Sequence, residues 1–137
     1  MINNYIHSTS GRGPKVTSAK AKVFVHAVNN HWADNSGHSF DVGTNGNVLL
    51  EGNYFESTTN PNVKESTGGI LHQALCQSNL GRKCVANTVT SSGALVGRKD
   101  AEVLSGIKAF SQIKSYVPKA AQKLPKRTTN FGVGSLA

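Results

Sequence analysis

A short pattern recurs along the chain: an asparagine, then a ring-bearing residue, then a large apolar one. It reads Asn3-Asn4-Tyr5-Ile6, Asn29-Asn30-His31-Trp32 and Gly52-Asn53-Tyr54-Phe55, each copy trailed by small polar residues. Gly11 and Gly37 both fall seven positions after their asparagine, and Asn87 opens a weaker fourth copy that reaches Gly93. The aligned asparagines are 26, 23 and 34 positions apart, which reads as a unit of about 23 residues carrying one short and one longer insertion. Repeats of this length signal a solenoid, because one unit cannot bury its apolar face alone and must stack on its neighbours. Apolar and other residues alternate in Val23 to Val28 and in Val48 to Glu51, so the units are strand-like and the chain is all-β, a parallel β-helix. Like residues then form ladders from one turn to the next. Asparagine tolerates the left-handed backbone of sharp turns and can hydrogen-bond between turns, so Asn4, Asn30 and Asn53 are structural ladder residues.

The 137 residues make one domain or part of one. The longest apolar runs, such as Val48-Leu49-Leu50, are far too short to span a bilayer, and no membrane partner is expected. The start, Met1-Ile-Asn-Asn-Tyr, has neither the basic nor the apolar segment of a signal peptide. The formal charge is +8, with the excess concentrated between Arg98 and Arg127. A basic surface favours polyanions, but a charge run is more often a solvated face, and nucleic acid is not the expected partner. Cys76 and Cys84 stand eight positions apart. They either close a small loop as a disulfide or are two buried thiols; with no second pair they are not a zinc pattern.

Residues 1–97 are expected to hold the β-helix turns, with loops inserted at 10–22 and 60–83. Residues 98–137 are expected to form one helix, on the spacing of Val103, Leu104, Ile107, Phe110, Ile113 and Val117, and then an irregular basic tail packed on the coil. Pro118 ends the helical pattern.

Most chemical candidates are weak. His26, His31, His38 and His72 lack an accompanying carboxylate cluster, and the five-residue step from His26 to His31 puts them on opposite faces of a strand, so no metal site is expected. Ser10 and His7 lack a nucleophile elbow or a third orienting group. Asp34, Asp41, Glu51 and Glu56 are scattered, and nothing fixes two of them at glycosidase separation. The segment Ser10-Gly11-Arg12-Gly13-Pro14-Lys15 differs. It sets a guanidinium and an ammonium three positions apart on a stiffened stretch, able to bind carboxylates or ester carbonyls and to stabilise an enolate.

That segment, Thr9 to Val16, is followed by His26-Ala27-Val28-Asn29-Asn30-His31-Trp32 and Ser36-Gly37-His38-Ser39-Phe40. With Val48 to Phe55 and Cys76 to Val85 it resembles the pectin lyases of fungi and related microbes, over about the first 95 residues. The resemblance implies a right-handed parallel β-helix and calcium-independent β-elimination of methyl-esterified homogalacturonan. It assigns the catalytic base to Arg12, with Lys15 as a substrate-binding neighbour, and pairs Cys76 with Cys84. Related pectate lyases usually carry an arginine three residues after the proline; Thr17 stands there and favours a pectin lyase. The reaction needs no cofactor on this reading, because a methyl ester is already neutral and fixed cations can hold the charge that builds on C6. A guanidinium is a weak base, so enolate stabilisation is kept as a second role for Arg12. The resemblance also implies a secreted, monomeric protein acting on pectin.

The matched segments fall in the C-terminal part of longer family members. The coil is therefore expected to be truncated at its N-terminus, lacking early turns that complete the cleft, which leaves catalysis by the chain alone open. A non-catalytic β-helix that binds acidic polysaccharide is the alternative. A basic nucleic-acid-binding domain is a third reading, marked by salt-sensitive binding through Lys108 to Arg127.

Overall fold

The structure is a computed structural model that describes residues 1–71 and 76–126. Its strands run in chain order as β1 (Tyr5–His7), β2 (Lys15–Val16), β3 (Val23–Val28), β4 (His31–Ala33), β5 (His38–Val42), β6 (Gly46–Glu51), β7 (Tyr54–Glu56), β8 (Asn60–Asn62), β9 (Gly69–Leu71) and β10 (Thr88–Thr90). They collect into three parallel sheets, β1-β4-β7-β10, β2-β5-β8 and β3-β6-β9. Every strand pairs with its counterpart one unit away, which makes the chain a parallel β-helix. The repeat and the register coincide: Tyr5, His31, Tyr54 and Thr88 align, as do Ile6, Trp32, Phe55 and Val89.

The asparagine ladder holds this register. Asn4 Nδ2 donates to Asn30 Oδ1 at 2.8 Å, Asn30 Nδ2 to Asn53 Oδ1 at 3.0 Å, and Asn53 Nδ2 to Asn87 Oδ1 at 2.9 Å. Each of those oxygens also accepts the backbone N–H of the asparagine one turn before it. The left-handed backbone falls one residue earlier, on Asn3, Asn29 and Gly52, so turn and ladder are separate jobs of adjacent residues. A second corner repeats in all four turns at Ser8, Asp34, Ser57 and Ser91, each with φ between 49° and 56°. Beside it Asn35 Oδ1 takes the Thr9 N–H, and Ser92 Oγ the Thr58 N–H. Gly37 is glycine because a Cβ there would lie 2.1 Å from the Ser10 carbonyl oxygen.

Alternate residues point inward. Val16, Ala27, Trp32, Phe40, Val42, Val48, Leu50, Phe55 and Ile70 form the buried interior of the coil. Trp32 stacks on Phe55 with centroids 4.9 Å apart and meets Phe40 at 5.0 Å. Such pairs add about 1 kcal/mol each to the burial itself.

Strand β6 is buried along both faces, which is why Val48-Leu49-Leu50 reads as a continuous apolar run. Outside the coil, Leu49 packs with Cys76, Leu80, Val103 and Ile107. These come from α1 (Gln77–Leu80) and α2 (Asp100–Ile107), which with α3 (Ser111–Ser115) are the helices among the described residues. Cys76 and Cys84 form a disulfide, with their Cα atoms 5.4 Å apart. Glu51, fully buried at the end of β6, ties this layer to the coil. Arg82 grips it with two bonds of 2.7 and 2.8 Å, His26 Nε2 lies 2.9 Å from it, and the Val85 N–H donates at 3.0 Å. Burial would raise the pKa of this carboxyl, but those partners outweigh it and hold it at about 2.

Three expectations change. The Arg12 segment does not leave the coil as part of a loop over 10–22: Arg12, Lys15 and Val16 stay in step with His38, Asp41 and Val42, and the pairing offset shortens only between Val16 and Val23. The loop over 60–83 is likewise shorter, since β8 and β9 pair in register and the longer pairing offset is seen only at β10. The single C-terminal helix is two, broken where Phe110 turns to an extended backbone and sets its ring 5.5 Å from that of Phe24. Beyond α3 the chain runs over the outside of the first sheet: Asn29 bonds both backbone groups of Lys119, and the Leu124 N–H donates to His31 Nδ1 at 3.3 Å. The expected tail past Lys126 lies outside the described residues.

Replacing Asn30 with alanine removes bonds on both sides of a fully buried ladder position. A loss of about 2–4 kcal/mol is expected in denaturant unfolding. Because the folded-state pKa of Glu51 is depressed, its stabilisation is present above the ordinary carboxylate pKa and is lost as pH falls towards 2. Unfolding free energy should drop by about 3 kcal/mol between pH 5 and pH 2, and Glu51→Gln should flatten that part of the profile.

Candidate functional site

Arg12 and Lys15 enter the second sheet on the turn above Asp41. Their backbone is pinned from several sides. The Gly13 N–H donates to the His38 carbonyl at 3.1 Å, the His38 N–H to Gly11 at 3.2 Å, and the Asp41 N–H to Pro14 at 3.0 Å. The buried Trp32 indole N–H donates to the Gly13 carbonyl at 2.9 Å, linking this segment to the interior. Position thus follows from the coil, not from loop flexibility.

Asp41 joins the two cations. Its Oδ2 lies 2.7 Å from Arg12 Nε and 3.9 Å from Lys15 Nζ. The cation side chains are about half exposed, at 55% and 49%, whereas Asp41 is at 15%. Ser66 Oγ donates to Asp41 Oδ1 at 3.3 Å and also to the Val42 carbonyl. Arg98 stands nearby, its Nε donating to Gly68 and its Nη1 to Val63 and Lys64 carbonyls. Burial lowers the Arg98 pKa, with Asp41 and Glu65 acting against it. An exposed ion pair of this kind adds little stability. What it fixes is place, because the carboxylate holds the guanidinium, nearest at Nε, on the same surface as Lys15. Two partly exposed cations held on one rigid surface can bind a carboxylate or an ester carbonyl and oppose negative charge that develops on it.

The other candidates are used structurally. His7 Nδ1 lies 3.2 Å from Ser8 Oγ, not from Ser10. His26 and His31 both face out of the coil, contrary to the expectation of opposite faces, because the corner at Asn29 and Asn30 lies between them; they meet Glu51 and Glu56 respectively. His31 has its pKa lowered by burial under the C-terminal segment, despite Glu56 at 3.4 Å. Glu56 also pairs with Lys123. The Nδ1 atom of His38 is buried and has no hydrogen-bond partner. His72 lies outside the described residues. Among the described residues no three His, Cys, Asp or Glu side chains converge as metal ligands, and no helix is long and apolar enough to cross a membrane.

A cleft of about 170 Å³ opens at a different corner, between Lys22, Asn47, Lys99 and Glu102. Arg12 and Lys15 do not line it. Sequence reasoning set Asp41 aside with the other scattered carboxylates and passed over Ser66 and Arg98 as site residues. The signal for Asp41 was present: it stands 26 positions after Lys15, the same step that separates Asn4 from Asn30.

Comparison with known proteins agrees with this architecture and extends further along the chain than the motifs did. The sequence model of the family described as Pectate lyase matches residues 1–135. The chain is 41% identical over 140 residues to a probable pectin lyase F of Aspergillus flavus, covering 98% of this chain and 32% of that protein. A probable pectin lyase F of Emericella nidulans is 42% identical, covering 98% and 30%. A probable pectin lyase B of Aspergillus fumigatus is 44% identical over 110 residues, covering 77% and 28%. The chain therefore spans about a third of the length of these curated relatives. By coil, repeat and sequence, the chain belongs to the pectate lyase family.

Proposed function

We propose that this chain carries the cationic face of a pectin lyase, which cleaves methyl-esterified homogalacturonan by β-elimination and releases 4,5-unsaturated oligogalacturonides. The observation that carries the reading is the rigid placement of Arg12 and Lys15 on one outer surface, with both side chains about half exposed. The names of the relatives support the same substrate class.

In the elimination a base takes the C5 proton of the uronate ester, and charge gathers on the C6 carbonyl oxygen. The C5 electron pair then forms the C4–C5 double bond, the C4–O bond breaks, and the departing oxygen receives a proton. Arg12 is assigned to the C5–H and C6 oxygen: as base by resemblance its neutral guanidine takes the C5 proton, and the guanidinium so formed is the cation that stabilises the enolate. Lys15 is assigned to holding the ester carbonyl. A methyl ester carries no charge of its own at C6, so the two fixed cations make calcium dispensable. Secretion is part of the proposal, because pectin is an extracellular polymer and the chain closes a disulfide.

Incubation with highly methylated pectin in excess chelator should raise the ultraviolet absorbance of the unsaturated uronide. Arg12→Ala should lower the rate by about 100-fold or more, and Lys15→Ala should raise KM by about tenfold. Binding of methylated oligogalacturonide by folded protein without any absorbance rise would instead establish the non-catalytic polysaccharide-binding reading.

A further inference from the structure

We infer that Asp41 is the positioning residue of this surface: it sets the direction in which Arg12 meets the substrate, through the Nε edge of the guanidinium. The inference rests on the function just proposed. An arginine on a solvent-facing turn ordinarily samples many rotamers, and a catalytic cation that wanders by about 1 Å loses much of its effect. Arg12 is held by a single side chain. The Asp41 carboxylate, one turn away, meets Nε at 2.7 Å, and 55% of the Arg12 side chain stays exposed to meet a ligand.

Asp41 is itself held. Its backbone pairs with Lys15 on one side, and its Oδ1 accepts from Ser66, whose hydroxyl is also fixed on the Val42 carbonyl. Only 15% of its side chain is exposed, so the polymer meets the cations and not the carboxylate. The same oxygen that takes Arg12 Nε lies 3.9 Å from Lys15 Nζ, which sets the spacing between the two cations. Stability alone does not explain the arrangement, since a half-exposed ion pair contributes little to it.

The test compares Asp41→Asn and Asp41→Glu with the unsubstituted chain on methylated pectin, beside nuclear magnetic resonance of the arginine Nε–H groups. Asp41→Asn should lower kcat by about 10- to 100-fold with KM changed by no more than about twofold, and Asp41→Glu should restore part of it. The Arg12 Nε–H signal should stand apart from those of free arginines, exchange slowly, and lose both properties in Asp41→Asn. The Nε–H signal of Arg82, buried without a partner while Glu51 holds that guanidinium by its terminal nitrogens, should stay in place and show that the fold is kept. Unchanged kcat and KM in Asp41→Asn, beside loss of turnover in Arg12→Ala, overturn the inference alone. So does an Arg12 signal already among the free arginines. Full turnover in Arg12→Ala, or none in the unsubstituted chain, overturns the functional reading and the inference with it.

Discussion

The structure depends on a bond made between turns of the coil by a side chain that is both donor and acceptor. At each turn an asparagine amide donates to the next asparagine along the ladder, while its oxygen accepts from the amide and the backbone N–H of the one before. The backbone at that corner cannot complete a sheet ladder, so without the amide its buried N–H groups would be unpaired. Satisfying them only in one register makes any slip costly. All else inherits that register: the stacked aromatic interior, the left-handed corners, and the lateral meeting of Lys15 with Asp41.

Once register is fixed, the faces of the coil receive different fates. The outer face of β6 is covered by apolar helices and by the disulfide loop, with Glu51 as a buried clasp whose four contacts come from Arg82, His26 and Val85. The outside of the first sheet is crossed by the segment around Lys119 to Leu124. On the second sheet the cations of Arg12 and Lys15 stay half exposed.

Some of this was readable from local pattern. The Asn-ring-apolar repeat gave the unit, its offsets gave the pairing, and the segment Arg12 to Lys15 stood out by its chemistry. The helix break at Phe110 was not readable, because Ile113 and Val117 continue the same periodicity; the extended backbone there accompanies a ring contact with Phe24, distant in sequence. Nor did the limits of the insertions follow from composition. Loop-like residues such as Gly11, Gly13 and Pro14 run in step with a neighbouring turn, since a β-helix pairs any backbone that keeps its register, whatever its side chains suggest.

The sequence by itself determined the repeat, and with it the coil, the ladder and the placing of Arg12 and Lys15 on one turn, because a period is a property of order along the chain. Folding over the coil chose the partners of Arg82 and Lys123: Glu51 takes Arg82 and Glu56 takes Lys123 across separations that the repeat does not encode, whereas Asp41 lies one repeat step from Lys15 and beside Arg12. Those partners are chosen by which residues stack in adjacent turns or fold back over them, and stacking exists only once the chain has closed its coil.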